Sequence, residues 1–428
     1  MQLDPISPAP SVLGRLRAAA CVLLAAGAPA AAHADAATQP YQFEASTLMY
    51  AEKDRAKVLE PMARLTRLFS GGTLLGVQFA YDVITGASPT GARPSGGVQT
   101  ITTPSGGTST TQAGALPLTS FHDKRWALDL DWTQPAGALF NATTGGHYSH
   151  EKDYQSTGVS EKLSLDTNHR MLTWSVGGGY NQDYVFPVGG IPEGLSPGGT
   201  LSTETRDSKQ VVSVMAGVAR VMSRRWLMAL DATSADERGY LTEPYKVVSI
   251  IDPATQIPSD HLTEKRPEAR RRNSVLASSV YHLTQDVMYF SYRYYWDEWS
   301  VQSHTLDARY RAEIGNESFL QPHVRFYTQT AAKFFTLGLA SGAPLPEFAS
   351  SDQRLSQFNS MTLGLTYGFK PRGYPGEWTV RAEYIRQFGH LNLGPAGGEG
   401  GEEGAPATPD PFPPLDIGTL TAGYTVSF

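Results

Sequence analysis

From Tyr41 onward the chain is written in a period of two. Leu75, Val77, Phe79, Tyr81 and Val83 alternate with Gly76, Gln78, Ala80 and Asp82; Leu172, Trp174, Val176 and Gly178 alternate with Thr173, Ser175 and Gly177; Met361, Leu363, Leu365 and Tyr367 alternate with Thr362, Gly364 and Thr366. Successive side chains of a strand point to opposite faces, so such runs predict strands with one apolar and one polar face. Helical spacing is nowhere sustained. The pattern places strands at 41–50, 58–69, 73–85, 121–133, 138–149, 157–166, 170–183, 208–220, 225–234, 273–283, 287–297, 301–312, 318–330, 356–369, 376–388 and 416–428.

Two kinds of connection alternate between these runs. Short ones carry turn chemistry, among them Ser70-Gly71-Gly72, Thr167-Asn168-His169, Thr284-Gln285-Asp286 and Lys370 to Gly376. Long ones at 86–119, 185–207, 235–272, 331–355 and 389–415 are rich in Gly, Pro, Ser and Thr, and shorter links lie near 51–57, 150–156 and 297–300. Seven short turns interleaved with eight longer loops give sixteen strands, an even count with turns at one rim and loops at the other. That is the pattern of an all-β, single, closed antiparallel transmembrane β-barrel, with short periplasmic turns and long extracellular loops. Closure leaves no backbone edge unpaired in hydrocarbon. Loops 86–119 and 389–415 are low-complexity and are expected to lack a packed core.

The last strand sharpens the reading. Leu420, Ala422, Tyr424, Val426 and Phe428 share one face, and Thr419, Thr421, Gly423, Thr425 and Ser427 the other. Gly423, Tyr424, Val426 and the terminal Phe428 resemble the C-terminal signal read by the bacterial barrel-assembly machinery. Aromatics near strand ends, including Tyr50, Trp126, Trp132, Trp226, Trp296, Trp299 and Trp378, suit interfacial girdles.

Composition agrees. Gly and Pro number 42 and 29 among 428 residues, and only 18% are charged, below the roughly 25% of soluble domains. Residues 15–34, RLRAAACVLLAAGAPAAAHA, read as a secretory signal ending in a small-x-small site, so 1–34 is expected to be removed and 35–428 to form the barrel. Cutting after Ala34 removes one acid and two bases, taking the formal charge from −6 to −7, and removes the single cysteine, Cys21. A disulfide framework and a Cys-rich metal site are thereby excluded, and the acidic balance argues against nucleic acid.

Opposition to the apolar phase turns Glu44, Asp82, Asp129, Asp131, Arg293, Arg325, Arg381 and Glu383 inward as candidate lumen-lining residues. In a sixteen-stranded barrel the lumen is wide enough for water, and charges of both signs there would set a field or hold a loop. The hairpin SYRYYWDEWSVQSHTLDARYR, with Asp286 just ahead of it, gathers Arg293, Asp297, Glu298, His304, Asp307 and Arg309, a set capable of acid–base chemistry at a rim, but no nucleophile motif accompanies it. Arg266, Arg270, Arg271 and Arg272 suit lipopolysaccharide phosphates. No phosphate loop, dinucleotide fingerprint, HExxH or EF-hand loop is present, so no cofactor, no metal and no catalytic residue is expected.

WALDLDW at 126–132, EKDYQS at 151–156, DTNHR at 166–170, GYNQDYVF at 179–186, GYLTEPYK at 239–246, SYRYYWDEW at 291–299, SHTLDARY at 303–310 and QPHVRFYTQTAAKFF at 321–335 stand in this order. Together they resemble the bacterial domain-of-unknown-function family 3570 over nearly the whole mature chain. The resemblance implies an outer-membrane-type β-barrel and brings no catalytic residues. It also hints at a small exported lipoprotein as partner. The expected function is a pore or transporter for a small solute in the cell outer membrane, not an enzyme; the alternative is a non-enzymatic scaffold or conduit for a small exported partner. The chain has neither a lumen-wide basic ladder nor an N-terminal plug, which speaks against a sugar porin and a TonB-dependent receptor.

Overall fold

A computed structural model describes residues 40–102, 108–389 and 414–428. The expected signal at 1–34 and most of loop 389–415 lie outside these residues. The strands, in chain order, are β1 (Tyr41–Glu52), β2 (Lys57–Leu68), β3 (Leu74–Pro89), β4 (Gln99–Thr102), β5 (Thr108–Thr111), β6 (Leu118–Pro135) and β7 (Phe140–His150). They continue with β8 (Tyr154–Thr167), β9 (Leu172–Val185), β10 (Asp207–Ser223), β11 (Trp226–Gly239), β12 (Val247–Ile251), β13 (Pro258–Thr263) and β14 (Ala269–His282). The last are β15 (Val287–Asp297), β16 (Gln302–Ile314), β17 (Ser318–Gln329), β18 (Leu339–Ala340), β19 (Phe358–Phe369), β20 (Glu377–Phe388) and β21 (Leu415–Ser427).

Sixteen of them form a closed antiparallel barrel in the order β1-β2-β3-β6-β7-β8-β9-β10-β11-β14-β15-β16-β17-β19-β20-β21. Closure runs from Gln42↔Ser427 to Glu52↔Ile417, and Tyr41 and Phe428 exchange backbone bonds of 3.0 and 2.9 Å. Their rings stack with centroids 5.6 Å apart. The outward phase is apolar and exposed: Phe79, Leu130, Val176, Val214, Phe290, Val324, Leu363 and Val380 ring the barrel. Contact with hydrocarbon is what such a belt requires, since water would penalise every one of these surfaces. Trp126, Trp132, Trp226, Trp296 and Trp378 face outward as girdle residues do. Tyr50 and Trp299 do not, because each is turned inward and buried, Trp299 against Leu241, Val301 and Phe334.

The loops hold more structure than their composition suggests. β3 and β6 stay paired beyond the expected rim, from Gly86↔Phe121 to Pro89↔Leu118. Loop 90–117 carries the hairpin β4–β5 and buries Ala92 and Ile101 against Val247. The expectation that 86–119 lacks a packed core therefore fails for its described residues. The reason is a partner supplied from far along the chain, the β-branched run Val247-Val248-Ser249-Ile250-Ile251, which pairs with β13 and, in parallel, with β18.

Candidate functional site

The inner face divides into a lower lumen, toward the short turns and the paired chain ends, and a mouth at the long-loop end. The phase of the strands sets Glu44, Asp82, Asp129, Asp131, Arg293, Arg325, Arg381 and Glu383 on this inner face, opposite the exposed apolar set.

Part of the charge in the lower lumen meets water, whereas Asp129 and His147 are buried. Arg309, Arg381 and Asp131 have side chains 42%, 41% and 33% exposed although each lies behind the apolar belt. Arg64 Nη2 meets Asp131 Oδ2 at 2.7 Å, reaching from β2 to β6 over the intervening β3. Gly76 of β3 makes this reach possible, because a Cβ there would sit 2.5 Å from the Arg64 guanidinium and collide with the Asp131 carboxylate. Across the barrel the same device recurs. His323 of β17 places Nε2 2.8 Å from Asp307 and Nδ1 2.8 Å from Glu383 of β20, over Gly364 of β19. Both ring nitrogens then donate, the arrangement of a charged imidazolium. Arg381 stands 3.9 Å from Glu383, and Arg293 lies over the Tyr295 ring. Glu44 accepts from Gln42, and Asp129 meets His147 at 2.6 Å.

These charges are unevenly shared. Strands β15 to β20 present Arg293, Arg309, Arg311, Arg325, Arg381 and His323 with Asp307, Glu313 and Glu383. On the facing wall, half the ring away, β6 and β8 present Asp129, Asp131 and Asp166 with Lys162. A field across the lumen follows from such walls when low-dielectric material surrounds them.

Asp82 sits apart from this set. It is fully buried and meets Arg125 Nε at 2.5 Å, near the mouth rather than along an open lumen.

Above that level the mouth is packed. Loop 240–268 leaves the ring between β11 and β14 and reaches loop 90–117 on the far side, where Val247 N–H donates to Thr90 O at 2.8 Å and Arg93 N–H to Ser249 Oγ at 2.9 Å. The Lys246 ammonium donates to Ser88 Oγ at 2.9 Å and to the Pro89 carbonyl. Loop 186–206 joins through Leu195 and Ser196 to Thr263, and loop 330–357 through Lys265 and Ala349, which exchange two bonds of 3.0 Å. Three acids and three bases lock this lid. Arg266 meets Glu264 at 2.6 Å and Asp352 at 2.7 Å; Arg354 meets Glu243 at 3.1 Å and also Asp352; Lys246 is the third base. Burial works against the Asp352 charge, but Arg354, Arg266 and Lys246 hold its carboxyl far below the usual carboxylate range. Burial lowers the Lys246 ammonium in turn.

The reading of the arginine run needs correction. Three of the four arginines read as lipopolysaccharide contacts point inward and are paired: Arg266 in the lid, Arg270 with Asp297 at 2.6 Å and Arg272 with Glu237 at 2.6 Å. Strand alternation explains Arg270 and Arg272, for on β14 only Arg271 falls in the outward phase, beside Asp236, whereas Arg266 precedes the strand and is held by the lid's acids. His304 also faces outward, its Nδ1 2.7 Å from the Tyr292 hydroxyl, whereas Asp307 and Arg309 of the same strand face the lumen. The hairpin therefore gathers no acid–base site. Sequence reading passed over Arg125, His147, His323 and the lid residues as a site. The signal was present in part, since Glu243, Tyr245 and Lys246 stand in GYLTEPYK and His323 in QPHVRFYTQTAAKFF.

A closed sixteen-stranded antiparallel barrel with an apolar outer belt and a charged interior is an outer-membrane-type β-barrel. The chain belongs to the family described as protein of unknown function (DUF3570), whose model matches residues 13–402. No curated protein matches it. Among solved structures it is similar to CdiB from Acinetobacter baumannii, at 8% identity and a TM-score of 0.46, covering 90% of this chain and 60% of that one. A bacterial polysaccharide outer membrane secretin is similar at 8% identity and a TM-score of 0.43, with 91% and 99% covered. A mutant ferric enterobactin receptor PfeA from Pseudomonas aeruginosa, in complex with enterobactin, is similar at 9% identity and a TM-score of 0.42. There 82% of this chain is covered but 54% of the receptor, so the chain spans about half its length. None of the three is close enough to transfer an activity.

Proposed function

We infer that this chain is an outer-membrane pore or transporter for a small solute, its short turns in the periplasm and its looped mouth outside, closed at rest by its own loops. The observation that carries the reading is the wet lower lumen, where Arg309, Arg381 and Asp131 remain a third or more exposed behind a lipid-facing belt. A barrel needed only for its outer surface has no use for a hydrated, doubly charged interior. Its surroundings would be outer-membrane lipid and lipopolysaccharide, reached through the barrel-assembly machinery acting on Gly423, Tyr424, Val426 and Phe428.

Planar-bilayer recording and liposome uptake test this with the refolded chain and with Arg266→Met, which unlocks the lid. Low conductance in the parent and a large rise in the variant are expected. Silence of both in current and in uptake would overturn the reading. Recovery from mild detergent of a small exported protein seated at the short-turn end, with both still silent, would favour the scaffold instead.

A further inference from the structure

The lid closes its own charges, three against three, whereas the rim beside it does not. Asp123 of β6 and Glu151 and Asp153 of the β7–β8 link each direct a carboxylate oxygen into one spot, the three atoms lying within 4.8 Å of one another. Glu151 and Asp153 are buried on either side of the exposed Lys152, 2% and 7% exposed respectively. Glu151 Oε2 and Asp153 Oδ1 are sequestered from solvent and have no hydrogen-bond partner among the described residues. The nearest guanidinium is shared between acids: Arg125 Nε is 2.5 Å from Asp82 and 3.8 Å from Glu151, while its Nη1 and Nη2 have no hydrogen-bond partner among the described residues. Asp123 accepts from the Lys124 amide at 2.8 Å and from that of Lys152, which fixes its carboxylate without neutralising it. Burial first, then Asp123 and other acids, push the Asp153 carboxyl up to about 6, and burial also raises Glu151 well above the usual carboxylate range. With Arg125 divided between Asp82 and Glu151, and only the exposed Lys152 beside Asp123, carboxylates outnumber bases here, and buried carboxylates in excess call for protons or a cation.

We propose that Asp123, Glu151 and Asp153 form a divalent-cation site of calcium size at the long-loop rim. Calcium takes oxygens at about 2.3–2.6 Å, so two oxygens on one ion stand at most about 5 Å apart, and this trio meets that limit as it is. All three donors are hard anionic oxygens, the chemistry calcium selects, and water would complete the shell. The ion would tie β6 to the β7–β8 link. It would also steady loop 240–268, because the Tyr245 hydroxyl donates to the Asp153 carboxylate. The assignment does not depend on what passes through the barrel.

Terbium(III), a calcium stand-in whose emission nearby tyrosines sensitise, tests it with the full chain refolded in detergent. Saturable emission displaced by calcium is expected, with Glu151→Gln and Asp153→Asn each weakening the apparent affinity at least tenfold. A heat-modifiable gel shift reports that the variants are folded. In the unaltered chain calcium should raise the melting temperature over EDTA. In EDTA the double variant should melt higher than the parent, since it removes uncompensated buried charge, and calcium should then do nothing. Emission and melting that ignore both calcium and the substitutions would overturn the site, as would an unaltered chain that melts identically in calcium and EDTA.

Discussion

The lower lumen and the mouth are built from the same residue types and differ in what surrounds them. Below, Arg64 and Asp131 pair with side chains 27% and 33% exposed, where solvent screens the attraction and either partner finds water if the other leaves. Above, Arg266, Glu264 and Asp352 pair at nearly the same distances with almost no exposure, so each depends on its neighbours for solvation. One set is therefore free to rearrange singly, while the other opens as a unit or stays shut. In the proposed pore, a closed mouth over a wet chamber would serve as a gate whose opening can be made cooperative.

Substitution at Arg266 presses hardest on this contrast. Arg266→Met leaves Glu264 and part of Asp352 buried without their base, a loss of about 3–5 kcal/mol for breaking one side of a buried pair. The cost falls on the closed lid, because the barrel ladders do not include Arg266. Limited proteolysis of loops 240–268 and 330–357 should quicken about a hundredfold or more with the barrel core intact; an unchanged rate would mean the lid is not held by its charges. A matched pair of glycines gives the next step down. Gly91 sits at φ +93°, and a Cβ there would strike the Val247 carbonyl, so Gly91→Ala both strains the backbone and spreads the bridge across the mouth. About 1–3 kcal/mol of lid stability should go. Gly76→Ala in the lumen only parts the half-exposed Arg64–Asp131 pair, for less than about 1 kcal/mol, and should alter ion selectivity rather than melting. Equal effects of the two would erase the distinction between the regions.

How much of this could be read beforehand follows from the same contrast. The lumen is legible because a strand's period of two carries its facing: once Leu75, Val77 and Phe79 are lipid-side, Asp82 must point in, and Leu130 and Trp132 fix Asp129 and Asp131 in the same way. The cross-barrel partners are less legible, since pairing His323 with Glu383 over Gly364 requires the register of β17, β19 and β20. The lid has no such period. Its contacts join Thr90 to Val247 and Arg266 to Asp352, residues with no shared element and long stretches between them, so Gly- and Pro-rich loops that read as unstructured are packed by one another. Arg270 and Arg272 show the cost of reading a charge run as a surface patch when strand alternation turns every second member inward, and Arg266, ahead of the strand, is taken up by the lid.

The smallest expected effect lies outside both regions. His304 is stacked among outward-facing aromatics, its ring centroid 6.0 Å from that of Tyr292 and 5.0 Å from that of Tyr294, and its one side-chain hydrogen bond among the described residues is to Tyr292. His304→Phe keeps the flat ring and removes one exposed bond, so the melting temperature should move by less than about 2 °C. Conductance should not move either, because the Tyr292–His304 contact lies on the lipid side of β15 and β16, while Asp307 and Arg309 occupy the lumen side of the same strand. Loss of lumen function in His304→Phe would mean that the outer face of this hairpin communicates with the charges behind it, and the division of labour between the two faces of one strand would have to be abandoned.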